Sequence, residues 1–186
     1  MTGVSKHHSH SREERKEEEK SFLRKEHDPE AEVTDIPPCL IFIDKEGRWF
    51  HKGAEMIHRE IIRLFYEHMS VDSLGRYVIE WAGERCYVEV EDTPFVVRGI
   101  EYQAHSEDHE DRFMLFLSDD TQEQLKPDTL YVGKENVLYC KVKDGRFPAR
   151  FLRPAYYQMA RYILEENGQF FISLNGRKYV IPCREQ

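Results

Sequence analysis

The bend Asp44-Lys45-Glu46-Gly47-Arg48-Trp49 returns near the end of the chain as Lys143-Asp144-Gly145-Arg146-Phe147. In both places the bend joins two apolar stretches, and an amphipathic stretch and two glycine turns follow it. The later turns of the first copy are Gly75-Arg76-Tyr77-Val78 and Gly83-Glu84-Arg85-Cys86-Tyr87-Val88, and those of the second are Gly168-Gln169-Phe170-Phe171 and Asn175-Gly176-Arg177-Lys178-Tyr179-Val180. Four matches in one order predict a duplicated unit.

The first copy is predicted to place one helix against a sheet. Pro37-Pro38 stops any helix, and Cys39 to Asp44 reads as a short strand. Tyr77 and Val88 belong to a hairpin that is predicted across Gly83. The apolar residues at helical spacing between these parts are Ile57, Ile61, Leu64, Phe65 and Met69.

The second half is predicted to be richer in strands. A helix should follow, because Pro154 suits a first helical turn, and Tyr156 and Met159 share an apolar face with Ile163. Asn167-Gly168 is interpreted as the left-handed end of this helix. Asn175-Gly176 is typical of a two-residue hairpin turn. The predicted strands span residues 95–102, 112–118, 129–132 and 136–142, with a last hairpin over 169–181.

These patterns indicate an α+β protein made of two repeated sheet-plus-helix units. Residues 1–35 form a mixed-charge tail with almost nothing to bury, so we expect them to be disordered. The first unit is assigned to residues 36–94 and the second to residues 95–186, because Asp92-Thr93-Pro94 interrupts the pattern.

Net charge and hydropathy limit the classes of partner and the cellular location that we expect. A formal net charge of −8 argues against nucleic acid as a partner, because phosphate contacts need concentrated Lys and Arg. No apolar run approaches a membrane span, and the first residues lack the apolar region of a signal peptide. We therefore expect a cytoplasmic protein, in which the scattered Cys39, Cys86, Cys140 and Cys183 would be free thiols.

Residues 40–182 resemble the bacterial domain-of-unknown-function family 1285. The resemblance rests on three stretches, which are Ile43 to Gly53, Val88 to Phe95, and Asp144-Gly145 through Arg150, Arg153 and Tyr156-Tyr157. It implies a duplicated core whose second domain looks like a pleckstrin-homology barrel, a larger antiparallel sheet or partial barrel capped by one helix. The family is uncharacterised. The role suggested for it is signal transduction, with a nucleotide-like ligand held between the two domains.

A cleft between the units is the predicted binding site. Arginines offer planar forks to a phosphate or carboxylate, and an aromatic ring offers a face on which a base can stack. Asp92 would hold the arginines in place. The residues assigned to this ligand site are Arg48, Trp49, His51, Glu89, Asp92, Arg146, Arg150 and Arg153. The structural alternative is that these charges form ion pairs that lock the units together and that the aromatic rings are core.

Two further functions remain open at this point. His51 with Glu89 or Asp92 has the residue types needed for proton transfer, yet no nucleophile elbow, phosphate loop or dinucleotide fingerprint accompanies them. Binding is therefore favoured over catalysis, and the sequence does not identify a cofactor. A sheet edge or helix of the second unit presented to a protein partner is the other alternative.

The stretch from His105 to Asp111 groups histidines with carboxylates. Such groups bind zinc where a rigid second shell positions them. Here the residues fall in a polar loop with no cysteine and no helix, so a solvated acidic loop is favoured and no metal site is predicted.

Overall fold

The computed structural model describes residues 36–106 and 110–184, so the tail that is expected to be disordered, residues 1–35, lies outside the described residues. The first six strands form one mixed sheet, and one helix lies between its third and fourth strands in the sequence. The elements are β1 (Pro38–Ile43), β2 (Trp49–His51), β3 (Ala54–Glu55), α1 (Arg59–Glu67), β4 (Met69–Val71), β5 (Tyr77–Trp81) and β6 (Glu84–Val90). The strand order is β3-β2-β1-β6-β5-β4, in which β1 and β6 pair in parallel and the other neighbours are antiparallel.

The next six strands form a second mixed sheet. They are β7 (Phe95–Gln103), β8 (Arg112–Leu117), β9 (Gln122–Gln124), β10 (Tyr131–Val132), β11 (Leu138–Val142) and β12 (Phe147–Phe151), with 3-10 turns at Pro127–Thr129 and Lys134–Asn136. The order is β10-β11-β12-β7-β8-β9, and the central pair, β12 and β7, is the parallel one. The predicted boundary after residue 94 falls between β6 and β7.

A helix and a third, antiparallel sheet complete the described chain. They are α2 (Arg153–Ala160), β13 (Ile163–Glu166), β14 (Gln169–Leu174) and β15 (Arg177–Val180). Gln158 fixes the helix to the second sheet, because its Oε1 accepts a hydrogen bond of 2.7 Å from the backbone N–H of Ile100. Within the two described ranges, no helix is both long and apolar enough to cross a membrane.

The predicted α+β class is confirmed, and the two units share one order of parts. In the first unit the hairpin β1-β2 is followed by α1 and the meander β4-β5-β6; in the second the hairpin β11-β12 is followed by α2 and the meander β13-β14-β15. The strand pairing differs. The first meander joins its own hairpin through β6 and β1, whereas the second forms a separate sheet and β12 pairs with β7. The likeness of the second unit to a pleckstrin-homology barrel stays a prediction.

An aromatic seam joins the two sheets within one hydrophobic core. The ring of Tyr66 on α1 lies 4.8 Å from Trp49 and 4.7 Å from Phe95, measured between centroids. Phe95 in turn lies 5.1 Å from Phe147. The buried hydroxyl of Tyr66 donates to the carbonyl of Pro94 at 3.1 Å and lies 2.8 Å from Ser118 Oγ. The two buried hydroxyl groups, of Tyr66 and Ser118, therefore both have hydrogen-bond partners.

An arginine-carboxylate tie reinforces this seam at the surface. Arg59 of α1 donates to the carbonyl of Ser118 at 3.1 Å and pairs with Asp120 in the turn between β8 and β9. Arg98 of β7 reaches the same carboxylate oxygen at 3.1 Å. The hydrogen bond from Arg59 holds the pKa of Asp120 below its usual value. Arg59 and Arg98 were not among the arginines assigned to the ligand site, but this contact is an ion pair that locks the two units together, as the structural alternative predicted for those arginines.

The first bend is closed by its own aspartate and arginine. Asp44 Oδ1 accepts hydrogen bonds from the backbone N–H groups of Glu46 at 3.0 Å and Arg48 at 2.8 Å. Asp44 Oδ2 accepts a hydrogen bond from Arg48 Nε at 2.7 Å and forms an ion pair with Nη2, which lies 2.6 Å away. Asp72 and Arg76 repeat this arrangement before β5. The Asp-x-x-Gly-Arg pattern is therefore a turn-closing device.

Gly47 in this bend has no room for a side chain. Its φ is +75°, and a Cβ atom would lie 2.6 Å from Cγ2 of the buried Val96. We expect Gly47→Ala to lower the free energy of unfolding by about 2 kcal/mol, since left-handed strain and overpacking add. Urea denaturation measures the loss.

Gly145 is the matched control in the second bend. Its φ is +83°, but no heavy atom of the described residues lies within 4 Å of an added Cβ. Gly145→Ala should therefore cost only the strain, about 1 kcal/mol. Equal losses for Gly47→Ala and Gly145→Ala would contradict the close approach to Val96.

Two predictions about local structure are wrong. Asn167-Gly168 is not the end of a helix: α2 ends at Ala160, and this pair, with φ of 54° and 77°, is the turn between β13 and β14. The four cysteines are not all free. Cys39 and Cys86 form a disulfide between β1 and β6, while Cys140 is buried and Cys183 is exposed as thiols.

Candidate functional site

Asp92, just after β6, gathers side chains from the second sheet. Its Oδ2 accepts hydrogen bonds from Arg150 Nη1 at 2.6 Å and from the Tyr139 hydroxyl at 2.9 Å. The backbone N–H of Arg150 donates to Thr93 Oγ1 at 3.1 Å, and this hydroxyl donates to the carbonyl of Phe95 at 2.7 Å. The segment that links the two sheets therefore holds Arg150 by both its backbone and its side chain.

The environment of this cluster fixes the protonation states of Arg150 and Tyr139. Burial tends to lower the pKa of Arg150, but the hydrogen bond and charge of Asp92 raise it above the usual value. Burial first, and then Asp92, raises the pKa of Tyr139 to about 12. Tyr139 thus stays a hydrogen-bond donor and Arg150 a cation at neutral pH.

Arg150 keeps N–H donors that no described residue accepts. Its side chain is 19% exposed, and Nη1 is the nitrogen that binds Asp92. Neither Nε nor Nη2 has a hydrogen-bond acceptor among residues 36–106 and 110–184. A guanidinium with a neutralising partner on one side and free N–H groups on the other is suited to bind an anion.

These donors belong to a surface cavity that we name the Arg150 cavity. It consists of two adjoining depressions with cavity volumes of about 730 Å³ and 440 Å³, both lined by Lys45, Glu135 and Arg150. The larger depression continues to Arg153, Tyr156 and Tyr157 on α2, and the smaller continues to Asp92, Tyr131 and Tyr139. Residues from the first bend and from the second unit therefore share one opening.

The cavity offers two kinds of contact. Positive charge comes from Lys45, Arg150 and Arg153, while Glu46 and Glu135 place carboxylates on the same wall. The rings of Tyr156 and Tyr157 are 36% and 66% exposed and lie edge to face, with centroids 5.7 Å apart. A ligand with an anionic end and a flat ring meets complementary groups at both ends.

The first bend contributes Lys45 and not Arg48. The guanidinium of Arg48 is held by Asp44 and lies over the ring of Phe50, with its Cζ 5.7 Å from the centroid. Trp49 is 1% exposed and packs within the aromatic seam, so its face is covered by protein. Of the predicted residues in this bend, the structure places neither at the wall of the Arg150 cavity.

Arg146 behaves as Arg48 does. Its Nε donates to the carbonyl of Lys143 at 3.1 Å, and its Cζ lies 5.7 Å from the ring centroid of Phe147. Lys143 in the same bend pairs with Asp119 at 2.6 Å. Among the predicted arginines, the structure brings Arg150 and Arg153 to one cavity and leaves Arg48 and Arg146 closing their own bends.

His51 and Glu89 lie on opposite faces of the first sheet. His51 pairs with Ile41 of β1, and Glu89 pairs with the next residue, Phe42. Paired residues share a face and successive residues alternate, so the two side chains point away from each other. Asp92 is bound to Arg150 and Tyr139, and among the described residues no hydrogen bond joins it to His51.

Sequence reasoning missed several groups at the Arg150 cavity. Tyr156 was interpreted as packing, yet it is exposed beside Tyr157. Tyr139 was seen only as part of a strand. Lys45 lies three residues before Arg48 in the same bend and was not chosen. The second Asp-x-x-Gly-Arg sequence, which begins at Asp72, was the signal that Arg48 closes a turn.

Metal binding finds no support in the described residues. They contain no group of three or more His, Cys, Asp or Glu side chains placed to hold an ion. Of the acidic loop, residues 107–109 lie outside the described ranges. The backbone N–H of His105 donates to the carboxylate of Asp111, whose own backbone is held by Asn175 at 3.0 Å and 2.9 Å.

Comparisons with known proteins identify the fold. A DUF1285 family protein of Silicibacter pomeroyi DSS-3 matches with a TM-score of 0.65 at 17% identity, over 81% of this chain and 85% of that one. A DUF1285 family protein of Shewanella baltica OS155 matches with a TM-score of 0.53, also at 17% identity, over 66% of this chain and 91% of that one. No protein-family model and no curated protein matches the sequence. The resemblance predicted from the sequence is confirmed at the level of the fold.

Proposed function

We propose that the protein is a regulatory binding module, a divergent relative of the DUF1285 proteins, that holds a nucleotide-like or phosphorylated small molecule in the Arg150 cavity. The observation that carries the proposal is the state of Arg150, whose charge is fixed by Asp92 while two of its nitrogens remain without a protein acceptor among the described residues. Arg153 and Lys45 add positive charge to the same cavity.

The shape of the cavity supports a ligand of this class. A volume of about 730 Å³ lies within the usual range for small-molecule sites, roughly 300–1,000 Å³. A phosphate on Arg150 and Arg153 would leave a base within reach of Tyr156 and Tyr157. Stacking on exposed tyrosine rings tolerates different bases, so the phosphate contributes more to recognition than the base does.

Ligand binding can also regulate the protein by changing how the two units are arranged. Lys45 belongs to the first bend and Arg153 to α2, so an anion between them contacts both units. Such a ligand changes the relation of the units only by its differential affinity for their arrangements. Catalysis is not proposed, because His51 and Glu89 lie on opposite faces of their sheet.

Replacing Arg150 tests the proposal. Isothermal titration with adenosine and guanosine mono-, di- and triphosphates should show binding by the unaltered protein. Arg150→Gln should raise the Kd about 10- to 100-fold, because charge-assisted hydrogen bonds to phosphate are lost. A nucleoside without phosphate should bind weakly to both proteins.

Arg146→Gln is the matched control. Arg146 is an arginine of the same unit, and its contacts are with the Lys143 carbonyl and the Phe147 ring. We expect the Kd of this variant to stay within about twofold of the original, because the phosphate contacts remain. Equal losses in the two variants, or no nucleotide binding at millimolar concentration, would leave the proposed site without support.

A further inference from the structure

The Cys39–Cys86 disulfide lies at an interruption of the first sheet. The pairing of β1 with β6 shifts register between Pro38 and Phe42, and the bridge crosses this interval with a Cα–Cα distance of 5.0 Å. Leu40 within it has a φ of 56°, and its carbonyl accepts a 2.9 Å hydrogen bond from the Lys52 N–H. The bridge can therefore open without breaking a regular ladder between the two strands.

A cavity gives small molecules access to the bridge. Both cysteines are half-buried and line a depression of about 280 Å³, which we name the disulfide cavity. Its apolar wall includes Ile41, Met56, Phe65 and Trp81. Trp81 is 49% exposed, and its ring lies edge-on to Phe65 with centroids 6.5 Å apart.

The size and lining of this cavity select the class of ligand. A volume of about 280 Å³ lies just below the usual range for small-molecule sites, so the cavity is too small for a nucleotide and accommodates a single ring. The polar groups of the lining are His51 and Glu84. A small neutral molecule with an apolar or aromatic body suits such a wall better than an anion does.

We propose that Cys39–Cys86 is a thiol–disulfide exchange site that accepts a small thiol with an aromatic or apolar body in the disulfide cavity. The thiolate attacks Sγ of one cysteine and forms a mixed disulfide, and the electron pair of the broken S–S bond leaves on the other cysteine, which takes up the proton released by the thiol. A second thiol molecule attacks the mixed disulfide. In total, two thiols are oxidised to one disulfide and the protein bridge is reduced to two thiols.

The other cysteines differ from this pair. Burial raises the pKa of the Cys140 thiol, which is 0% exposed in the core. Cys183 is exposed but unpaired, and it lines different cavities with residues of the second unit. The exchange site is thus separate from the Arg150 cavity, and Arg150→Gln should leave it unchanged.

The test compares two thiols that differ in their bodies. Oxidised protein is treated with benzyl mercaptan or 2-mercaptoethanol at equal thiolate concentration, and acid-quenched, alkylated samples are analysed by mass spectrometry for adducts at Cys39 and Cys86. Each rate constant is divided by that of the same thiol with oxidised glutathione. We expect benzyl mercaptan to react about tenfold faster after this correction, because its ring is buried on binding.

Variants at exposed aromatic residues locate the effect. Trp81→Ala should reduce the preference for benzyl mercaptan about fivefold, and Ile61→Ala in the same wall should reduce it less. Phe170→Ala is the control, because Phe170 is 43% exposed in a different cavity. Equal corrected rates for the two thiols, exchange only after denaturation, or the same loss in Trp81→Ala and Phe170→Ala would each overturn the proposal.

Discussion

Replacing Phe95 by alanine is expected to lower the free energy of unfolding by about 4 kcal/mol, the usual loss for a fully buried phenylalanine. Phe95 is 1% exposed, and its ring contacts Tyr66 of α1 and Phe147 of β12. Lys143 Nζ lies 5.4 Å from its ring centroid, so a cation–π contact is lost as well. Truncation leaves a cavity at the junction of the two sheets.

Phe170→Ala is the matched substitution on the surface. Phe170 is 43% exposed on β14, and its truncation should cost about 1 kcal/mol or less. Urea denaturation followed by fluorescence and by circular dichroism measures both variants. Losses of similar size would mean that Phe95 does not hold the seam, and separate transitions by the two probes would mean that the units unfold independently.

Short-range turn chemistry made much of the fold predictable. Asn175-Gly176 and Gly83 are hairpin turns as expected, because residues with positive φ are needed there and few residue types supply it. The order of bend, helix and hairpin also recurs in both units. Pairing between distant strands was not predictable. In the first unit β6 pairs with β1, and in the second β12 pairs with β7, and no short-range sequence pattern distinguishes these two outcomes.

Periodicity located α1 but misplaced its buried face. The spacing grouped Ile57 with Ile61, yet these residues are 75% and 44% exposed. The structure buries Ile62 and Tyr66, because the helix presents that side to the aromatic seam. An apolar side chain is free to lie at the surface, so periodicity alone could not choose between adjacent stripes.

The residues of the candidate site were predicted correctly only in part. Asp92 and Arg150 were chosen from the sequence and lie 2.6 Å apart, because the inter-unit joint runs beside β12. Arg48 was chosen for its position in the repeat. Its carboxylate partner lies four residues earlier, and this local closure of the turn removes it from the cavity. A repeat therefore predicts equivalent turns more safely than equivalent ligand contacts.

The cysteines show the same limit of local reasoning. Cys39 and Cys86 are separated by 47 residues and form no recognisable spacing. They are brought together because β1 and β6 are neighbours in the parallel pair at the centre of the first sheet. The prediction of free thiols was based on spacing, and the strand order overrides it.

Removing this bridge is expected to have an effect on stability as large as the loss of Phe95. A disulfide that closes a loop of 47 residues restricts the unfolded chain and contributes about 4 kcal/mol in the loop-entropy description. The double variant Cys39→Ala/Cys86→Ala should therefore melt about 10 °C lower than the oxidised protein. Calorimetry under non-reducing conditions measures the difference.

Reduction of the original protein should reproduce most of this shift, because both treatments release the same loop. Cys183→Ser serves as the control, since this exposed, unpaired thiol closes no loop, and its melting temperature should change by about 1 °C or less. A double variant that melts with the oxidised protein would show that the bridge does not restrict the unfolded chain. Because the bridge crosses a gap in the ladder between β1 and β6, the double variant should keep its strand content while the first sheet loses protection from hydrogen exchange at residues 39–42.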